Sequence, residues 1–135
     1  LGCLPKTAWP PTSYLLKTLR STDSAVIQTT APEANGKLAA SPHTLELIRR
    51  GMHRAVNAPG GGAKQARNSK IELSGKTGTA EVGSRENRYK NTWFTGFGTD
   101  PKTGKTYAIT VMVMHGVGGG KTAAPLASRF FEQWL

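Results

Sequence analysis

Between Ile71 and Met114 the chain carries three strand-like runs, and the connections between them are too short to hold a crossover helix. Parallel neighbours need a dozen or more residues between strands, so these three are expected to be antiparallel. The first run, residues 71–81 (IELSGKTGTAE), alternates Ile71 and Leu73 with polar positions and then enters Gly75-Lys76-Thr77-Gly78-Thr79. Glycine inside a strand marks a place where another backbone or a ligand comes close, and here two glycines flank a cation. The second run, Thr92 to Thr99, mixes aromatic and β-branched residues with glycine, and Asp100-Pro101-Lys102-Thr103-Gly104 after it is turn chemistry. The third, Thr106 to Met114, is apolar almost throughout and is expected to be buried on both faces. Val82 to Asn91, polar and without periodicity, reads as a loop.

Two helices flank the strands. Ser41 reads as an N-cap and Pro42 as the first helical residue, and Leu45, Ile48, Met52 and Ala55/Val56 recur at spacings of three and four. That stripe, on a helix over 41–57, is expected to be buried, with Arg49, Arg50 and Arg54 on a solvated face. Pro59 and Gly60-Gly61-Gly62 stop it, and 63–70 reads as a basic loop. A second helix over 123–134 places Leu126, Phe130 and Trp134 four apart with Ala127 and Phe131 beside them, an aromatic face expected to lie on the sheet. The expected fold class is therefore α+β, sandwich-like: an antiparallel sheet of at least three strands packed by an internal helix and a C-terminal helix. Residues 1–40 form a separate N-terminal part in this reading. It has extended pieces at Tyr14 to Leu16 and Ala25 to Gln28, a connection containing Lys17, Arg20, Thr22 and Asp23, and a turn from Pro32 to Gly36.

A length of 135 residues suits one domain or part of a larger one. The net charge of +10 favours a polyanionic partner without choosing among nucleic acid, lipid head groups and acidic polymers. Cys3 has no second cysteine to pair with, and His43, His53 and His115 are scattered, so neither a disulfide nor a metal site is expected, and no cofactor. No apolar run reaches the roughly 18 residues that a membrane span requires. His115-Gly-Val-Gly-Gly-Gly-Lys121-Thr122 nearly fits a phosphate-binding loop, but His115 stands where the first glycine is needed. Only 13 residues follow Thr122, too few for the strands that supply a magnesium-binding acid, and the stretch reads as a flexible connector.

The Lys76 ammonium, the Thr77 and Thr79 hydroxyls and the backbone N–H groups beside them suit a carboxylate or a developing oxyanion. Three features together sharpen that reading: Lys76-Thr77-Gly78-Thr79-Ala80-Glu81, the later Trp93-Phe94-Thr95-Gly96-Phe97, and the glycine-rich connector to a terminal helix. With the preceding helix SPHTLELIRRGMHRAVN, the stretch from about Leu38 to Leu135 resembles the C-terminal part of the transpeptidase domain of penicillin-binding proteins. It looks most like the class B enzymes of the elongation type, which build side-wall peptidoglycan. K-T-G alone arises by chance in many chains; the combination is far more specific.

The resemblance implies a serine D,D-transpeptidase acting on the D-alanyl-D-alanine end of peptidoglycan stem peptides and acylated by β-lactams. It implies that Lys76 positions the substrate carboxylate and adds positive potential, that Thr77 and Thr79 offer it hydroxyls, that Gly78 keeps the strand clear, and that the Thr79 backbone N–H forms half of the oxyanion hole. It also implies a place at the extracytoplasmic face of the cytoplasmic membrane, the anchor lying outside this chain, and elongation-complex proteins as partners. Glu81 is expected to pair with a nearby Arg, and Trp93 to pack within its strand. No serine in the chain has lysine three residues on, and Ser21-Thr22-Asp23 is not S-x-N, so the nucleophile is expected before Leu1 and the 135 residues are expected to be inactive alone. Part of the sheet is then expected to be exposed or buried in a dimer. Two other readings stand beside this one: a non-catalytic β-lactam sensor or scaffold domain of the same fold, and a basic nucleic-acid-binding module, motivated only by charge. A fluorescent penicillin is expected to leave the 135-residue chain covalently unlabelled while labelling the longer natural protein. Stable labelling of the shorter chain would refute the missing serine.

Overall fold

The computed structural model describes residues 18–20, 22–29 and 39–135, which fall in two compact units. In the first unit, β1 (Thr18–Arg20) pairs antiparallel with β2 (Val26–Thr29), with a register shift between Leu19 and Arg20. Arg20 thus belongs to a strand rather than to the connection, and its guanidinium donates to the Ser24 carbonyl (2.9 Å) at the turn. Cys3, the extended piece at Tyr14 to Leu16 and the turn from Pro32 to Gly36 lie outside the described residues.

The second unit, Ser41–Leu135, is α+β. Its elements are α1 (Pro42–Asn57), β3 (Glu72–Val82), β4 (Tyr89–Thr99), β5 (Thr106–Val113) and α2 (Ala123–Trp134). The sheet order is β3-β4-β5, antiparallel throughout, and the register runs unbroken from Glu72↔Thr99 to Val82↔Tyr89. The loop between β3 and β4 is shorter than 82–91: Tyr89, Lys90 and Asn91 pair with Val82, Glu81 and Ala80, leaving only 83–88 outside the ladder. Gly83 takes φ +102° there, where an added Cβ would lie 2.1 Å from the Asn87 carbonyl oxygen.

Helix α1 begins as its sequence dictates. The Ser41 hydroxyl accepts from the Thr44 N–H (3.1 Å), and Pro42 fills a first-turn position that needs no donor. Its burial differs from the expected stripe. Val56 is buried and Leu45, Met52 and Ala55 are half-buried, but Ile48 stands 53% exposed. The side-chain hydrogen bonds from α1 to β3 come from its last turns, His53 to Glu72 and Asn57 to the Leu73 carbonyl.

The segment 63–70 is not a simple basic loop. A 3-10 turn at Lys64–Ala66 leads to Arg67, whose guanidinium donates to the carbonyls of Val56 (3.0 Å), Asn57 (2.9 Å) and Ala58 (2.9 Å). These carbonyls at the end of α1 have no helical donor, and a cation also suits the negative end of the helix dipole.

The core gathers Val56, Ala63, Ala66, Ile71, Leu73, Phe94, Ala123, Ala124, Ala127 and Phe131. Its organising contact is the Phe94 ring, which lies across the cross-strand pair Gly75↔Gly96. A Cβ at Gly75 would sit 2.3 Å from the ring, and one at Gly96 3.0 Å from it. Of the close approaches that a strand glycine signals, the closest at Gly75 is therefore to an aromatic ring of the core rather than to a backbone or a ligand.

Two packing expectations are corrected. Strand β5 alternates instead of being buried on both faces: Tyr107, Ile109 and Val111 pack against the core, while Met112 is 44% exposed on the outer face. The buried face of α2 is Ala123, Ala124, Ala127, Ser128 and Phe131, so Ala127 and Phe131 of the expected face are buried while Leu126, Phe130 and Trp134 are 41–51% exposed. Small residues let the helix axis approach the sheet, which turns the bulkier stripe outward. Trp134 still reaches the sheet by its edge, T-shaped against Tyr107 at 4.7 Å between ring centroids.

Nor is the connector 116–122 loose. Gly116 N–H donates to the Lys90 carbonyl (2.9 Å), and Gly119 accepts from both Ala123 N–H (3.1 Å) and Ala124 N–H (2.9 Å). A Cβ at Gly116 would meet Thr92 at 2.3 Å and one at Gly120 the Gly62 carbonyl oxygen at 2.3 Å. Gly116, Gly119 and Gly120 are there for close approach, while Gly118 faces open space.

At the β4–β5 turn, buried Asp100 accepts from the Lys102 N–H (2.8 Å) and the Thr103 hydroxyl (2.6 Å). The Thr103 bond foremost, then that from Lys102, holds its carboxyl below the ordinary range. A depressed folded pKa stabilises fully above the unfolded value of about 3.9, and that contribution is lost as pH falls through the lower folded value. Asp100→Asn is therefore expected to lower the thermal midpoint near neutrality, the gap to the parent closing as pH drops below about 4. Gly75→Ala is expected to destabilise by about 2 kcal/mol through overpacking against Phe94, measured by denaturant unfolding of the protein.

Candidate functional site

Residues 76–79 occupy the middle of β3, an edge strand of the described sheet. Which backbone groups reach that edge follows from alternation in the ladder. In an antiparallel pair, alternate residues turn both N–H and C=O toward the neighbour, and the others turn both away. The Leu73 carbonyl accepts from the Asn57 side chain on α1 (2.9 Å), and the Thr77 carbonyl from the Lys76 ammonium (2.5 Å). Odd-numbered residues therefore point their backbone groups outward, and the N–H groups of Gly75, Thr77 and Thr79 line the open edge.

Side chains divide by the same parity. Lys76 stands on the face with Thr95 and Thr110, whose hydroxyls bond each other (2.9 Å), and it is exposed. Its ammonium bends back over the edge to the Thr77 carbonyl. Among the described residues it has no carboxylate partner; the two ion pairs there are His53–Glu72 (2.6 Å) and Arg88–Glu81 (3.5 Å). Glu81 thus pairs with Arg88, at the hairpin end of the strand.

Thr77 and Thr79 lie on the opposite face, half-buried and exposed respectively. The Thr79 hydroxyl accepts from the Gly119 N–H (3.2 Å), which leaves its own proton free to donate. Gly78 faces Trp93, where an added Cβ would rest 3.5 Å from the Trp93 Cβ, an ordinary contact. Nothing in the sheet therefore requires glycine at 78, unlike at 75. Trp93 is 39% exposed beside it.

One ammonium, two hydroxyls and outward N–H groups thus gather along one strand edge without a neutralising acid. Such an edge can take an extended chain as an added strand and hold a carboxylate or an oxyanion against it. Among the described residues no three His, Cys, Asp or Glu side chains come together as a metal site. The sequence reading missed Asn57, which covers the edge at Leu73, and Gly119, which reaches Thr79 from the connector. The signal for Gly119 was the glycine run itself, read as looseness.

Comparison with known proteins places the chain in a family. A family model, the penicillin binding protein transpeptidase domain, matches residues 12–132. The peptidoglycan D,D-transpeptidase MrdA of Haemophilus influenzae is 34% identical over an alignment 103 positions long, which covers 67% of this chain and 16% of that protein. The chain thus spans about a sixth of the length of this relative. The crystal structure of the D,D-transpeptidase domain of a peptidoglycan glycosyltransferase from Eggerthella lenta superposes with a TM-score of 0.59 at 21% identity. That match covers 87% of this chain and 27% of the other, a likeness of fold.

Proposed function

The chain belongs to the penicillin-binding protein transpeptidase domain family, and from that premise we propose that residues 76–79 form the carboxylate- and oxyanion-binding strand of a peptidoglycan D,D-transpeptidase. The observation that carries this reading is the open edge of β3, lined by outward N–H groups and the Lys76 ammonium.

In this reading the D-alanyl-D-alanine end of a stem peptide lies along β3 as an added strand. Its terminal carboxylate takes hydrogen bonds from the Thr77 and Thr79 hydroxyls within the field of Lys76. The scissile carbonyl oxygen rests on the Thr79 N–H, which stabilises the negative charge that grows there once a serine oxygen bonds to the carbonyl carbon. Collapse of the tetrahedral adduct breaks the C–N bond and releases D-alanine, leaving an acyl-enzyme that the amine of a second stem peptide resolves. Gly78 leaves the strand surface low where the substrate passes. The serine and its proton-transfer partners come from chain outside these 135 residues, so the chain alone does not turn over.

The exposed apolar positions support the same reading: Ile48 on α1, Met112 on the outer sheet face, and Phe130 and Trp134 on α2 suit surfaces covered by the remainder of a catalytic domain. The substrate places this domain at the extracytoplasmic face of the cytoplasmic membrane, its anchor elsewhere in the protein and elongation-complex proteins as its partners. No described helix is long and apolar enough to cross a membrane.

Lys76→Ala in the full-length protein is expected to slow covalent acylation by a penicillin by roughly 10- to 100-fold, the range of a lost charge-assisted hydrogen bond, with the thermal midpoint little changed. An unchanged acylation rate would overturn the assignment.

A further inference from the structure

The connector between β5 and α2 is hydrogen-bonded to the proposed site through the Gly119 N–H, which donates to the Thr79 Oγ1 at 3.2 Å. The two residues stand 40 positions apart in the chain. The same Gly119 peptide unit is held from the other side. Its carbonyl accepts from Ala123 and Ala124, the first N–H groups of α2, which have no helical acceptor. The Gly118 carbonyl accepts from Lys121 (3.0 Å) and Thr122 (2.8 Å), and the Thr122 hydroxyl accepts from the Val117 N–H (3.1 Å). Helix α2 in turn is set in the core by Ala123, Ala124 and Ala127. The donor that reaches Thr79 is thus fixed by a helix terminus.

Glycine is obligatory at 119. Its position is buried, and a Cβ there would come within 2.6 Å of the Gly78 and Trp93 carbonyl oxygens and 2.9 Å of the Thr77 Cβ. These are three points on the two strands that carry and adjoin the site, so no side chain can be added without moving the connector off Thr79.

We infer that Gly119 is a positioning residue: its N–H occupies an acceptor site of the Thr79 hydroxyl and so turns the hydroxyl proton outward, toward the carboxylate of a bound stem peptide or β-lactam. A free threonine hydroxyl samples three staggered orientations and can also donate to nearby backbone carbonyls. With Gly119 donating to it, the proton is presented to an incoming acceptor. The inference rests on the proposed role of Thr79, and the effect is on substrate binding, not on the oxyanion step, which uses the Thr79 backbone.

The test is a double-mutant cycle in the full-length protein, with stopped-flow acylation by a penicillin separating the pre-acylation dissociation constant from the acylation rate constant. Gly119→Ala is expected to raise the dissociation constant about fivefold, the scale of one hydrogen bond, and to change the acylation rate constant less than about twofold. In the Thr79→Val background the same substitution is expected to change neither constant by more than about twofold. Equal loss in both backgrounds overturns the positioning role while leaving the role of Thr79 intact. If Thr79→Val alone changes neither constant, the reading of Thr79 falls, and this inference with it. A second measurement leaves Gly119 untouched in case its variant folds poorly. Amide hydrogen exchange of the peptide spanning 116–121 is expected to quicken about fivefold in Thr79→Val and to stay at the parent rate in Thr79→Ser. Equal exchange in all three proteins overturns the inference.

Discussion

The contact of the Phe94 ring with Gly75 and Gly96 is the one on which the Ser41–Leu135 unit depends. Two glycines opposite each other would weaken a two-stranded ladder, because each contributes backbone entropy and no side chain. One aromatic ring covers both, so the cost of the pair is offset by a single buried apolar surface. The consequence reaches the site by parity. Once Gly75 is pinned beneath the ring, Lys76 must project from the other face, and the backbone groups of Thr77 and Thr79 must face away from β4. An open strand edge cannot be placed with this accuracy from its own side; it is placed from the core.

The helices act on the same strand from its two ends. Arg67 closes the C-terminus of α1, and Asn57 in its last turn covers the β3 edge at Leu73. Asn68 accepts from the Lys70 N–H and donates to the Ser128 carbonyl, fastening the approach to β3 onto α2 (2.8 and 2.7 Å). The N-terminus of α2 meets Thr79 through Gly119. Polar side chains and glycines make these junctions because the groups they serve are the unpaired backbone atoms that every helix end and strand edge leaves behind.

Which parts of this were legible in the sequence follows from what encodes them. The strands announce themselves by composition and alternation, and α1 by Ser41 and Pro42, because those signals are local. The strand that carries K-T-G-T was legible as a strand for the same reason. Rotation of a helix about its axis is not local. On hydrophobicity alone, Leu126, Phe130 and Trp134 claim the core, yet the sheet accepts the Ala123, Ala124 and Ala127 face because only small residues let α2 come close. The apolar run in β5 misled similarly, since an apolar residue on an outer face looks the same in sequence as one in the core. Glycine was the hardest to read. Gly75, Gly78 and Gly119 are one letter each, yet the first makes room for an aromatic ring, the third for a tight backbone crossing, and the sheet itself demands no glycine at the second.

An exposed strand edge is a liability, since it can pair with any extended chain. Strand β3 limits the opening at both ends. Toward Glu72 the edge is covered at Leu73 by Asn57, and toward Val82 the strand carries Glu81 and Arg88 as a charged pair at the hairpin. Between them the outward groups run from Gly75 to Thr79, with the Lys76 ammonium at the middle. Burying that cation without an acid beside it is unfavourable, so a neutral strand docking there leaves a charge unsatisfied. A chain ending in a carboxylate supplies the missing partner. Under the proposed function that partner is the terminal carboxylate of a peptide, so the lysine that disfavours indiscriminate pairing at the edge is also the one the proposal assigns to recognition.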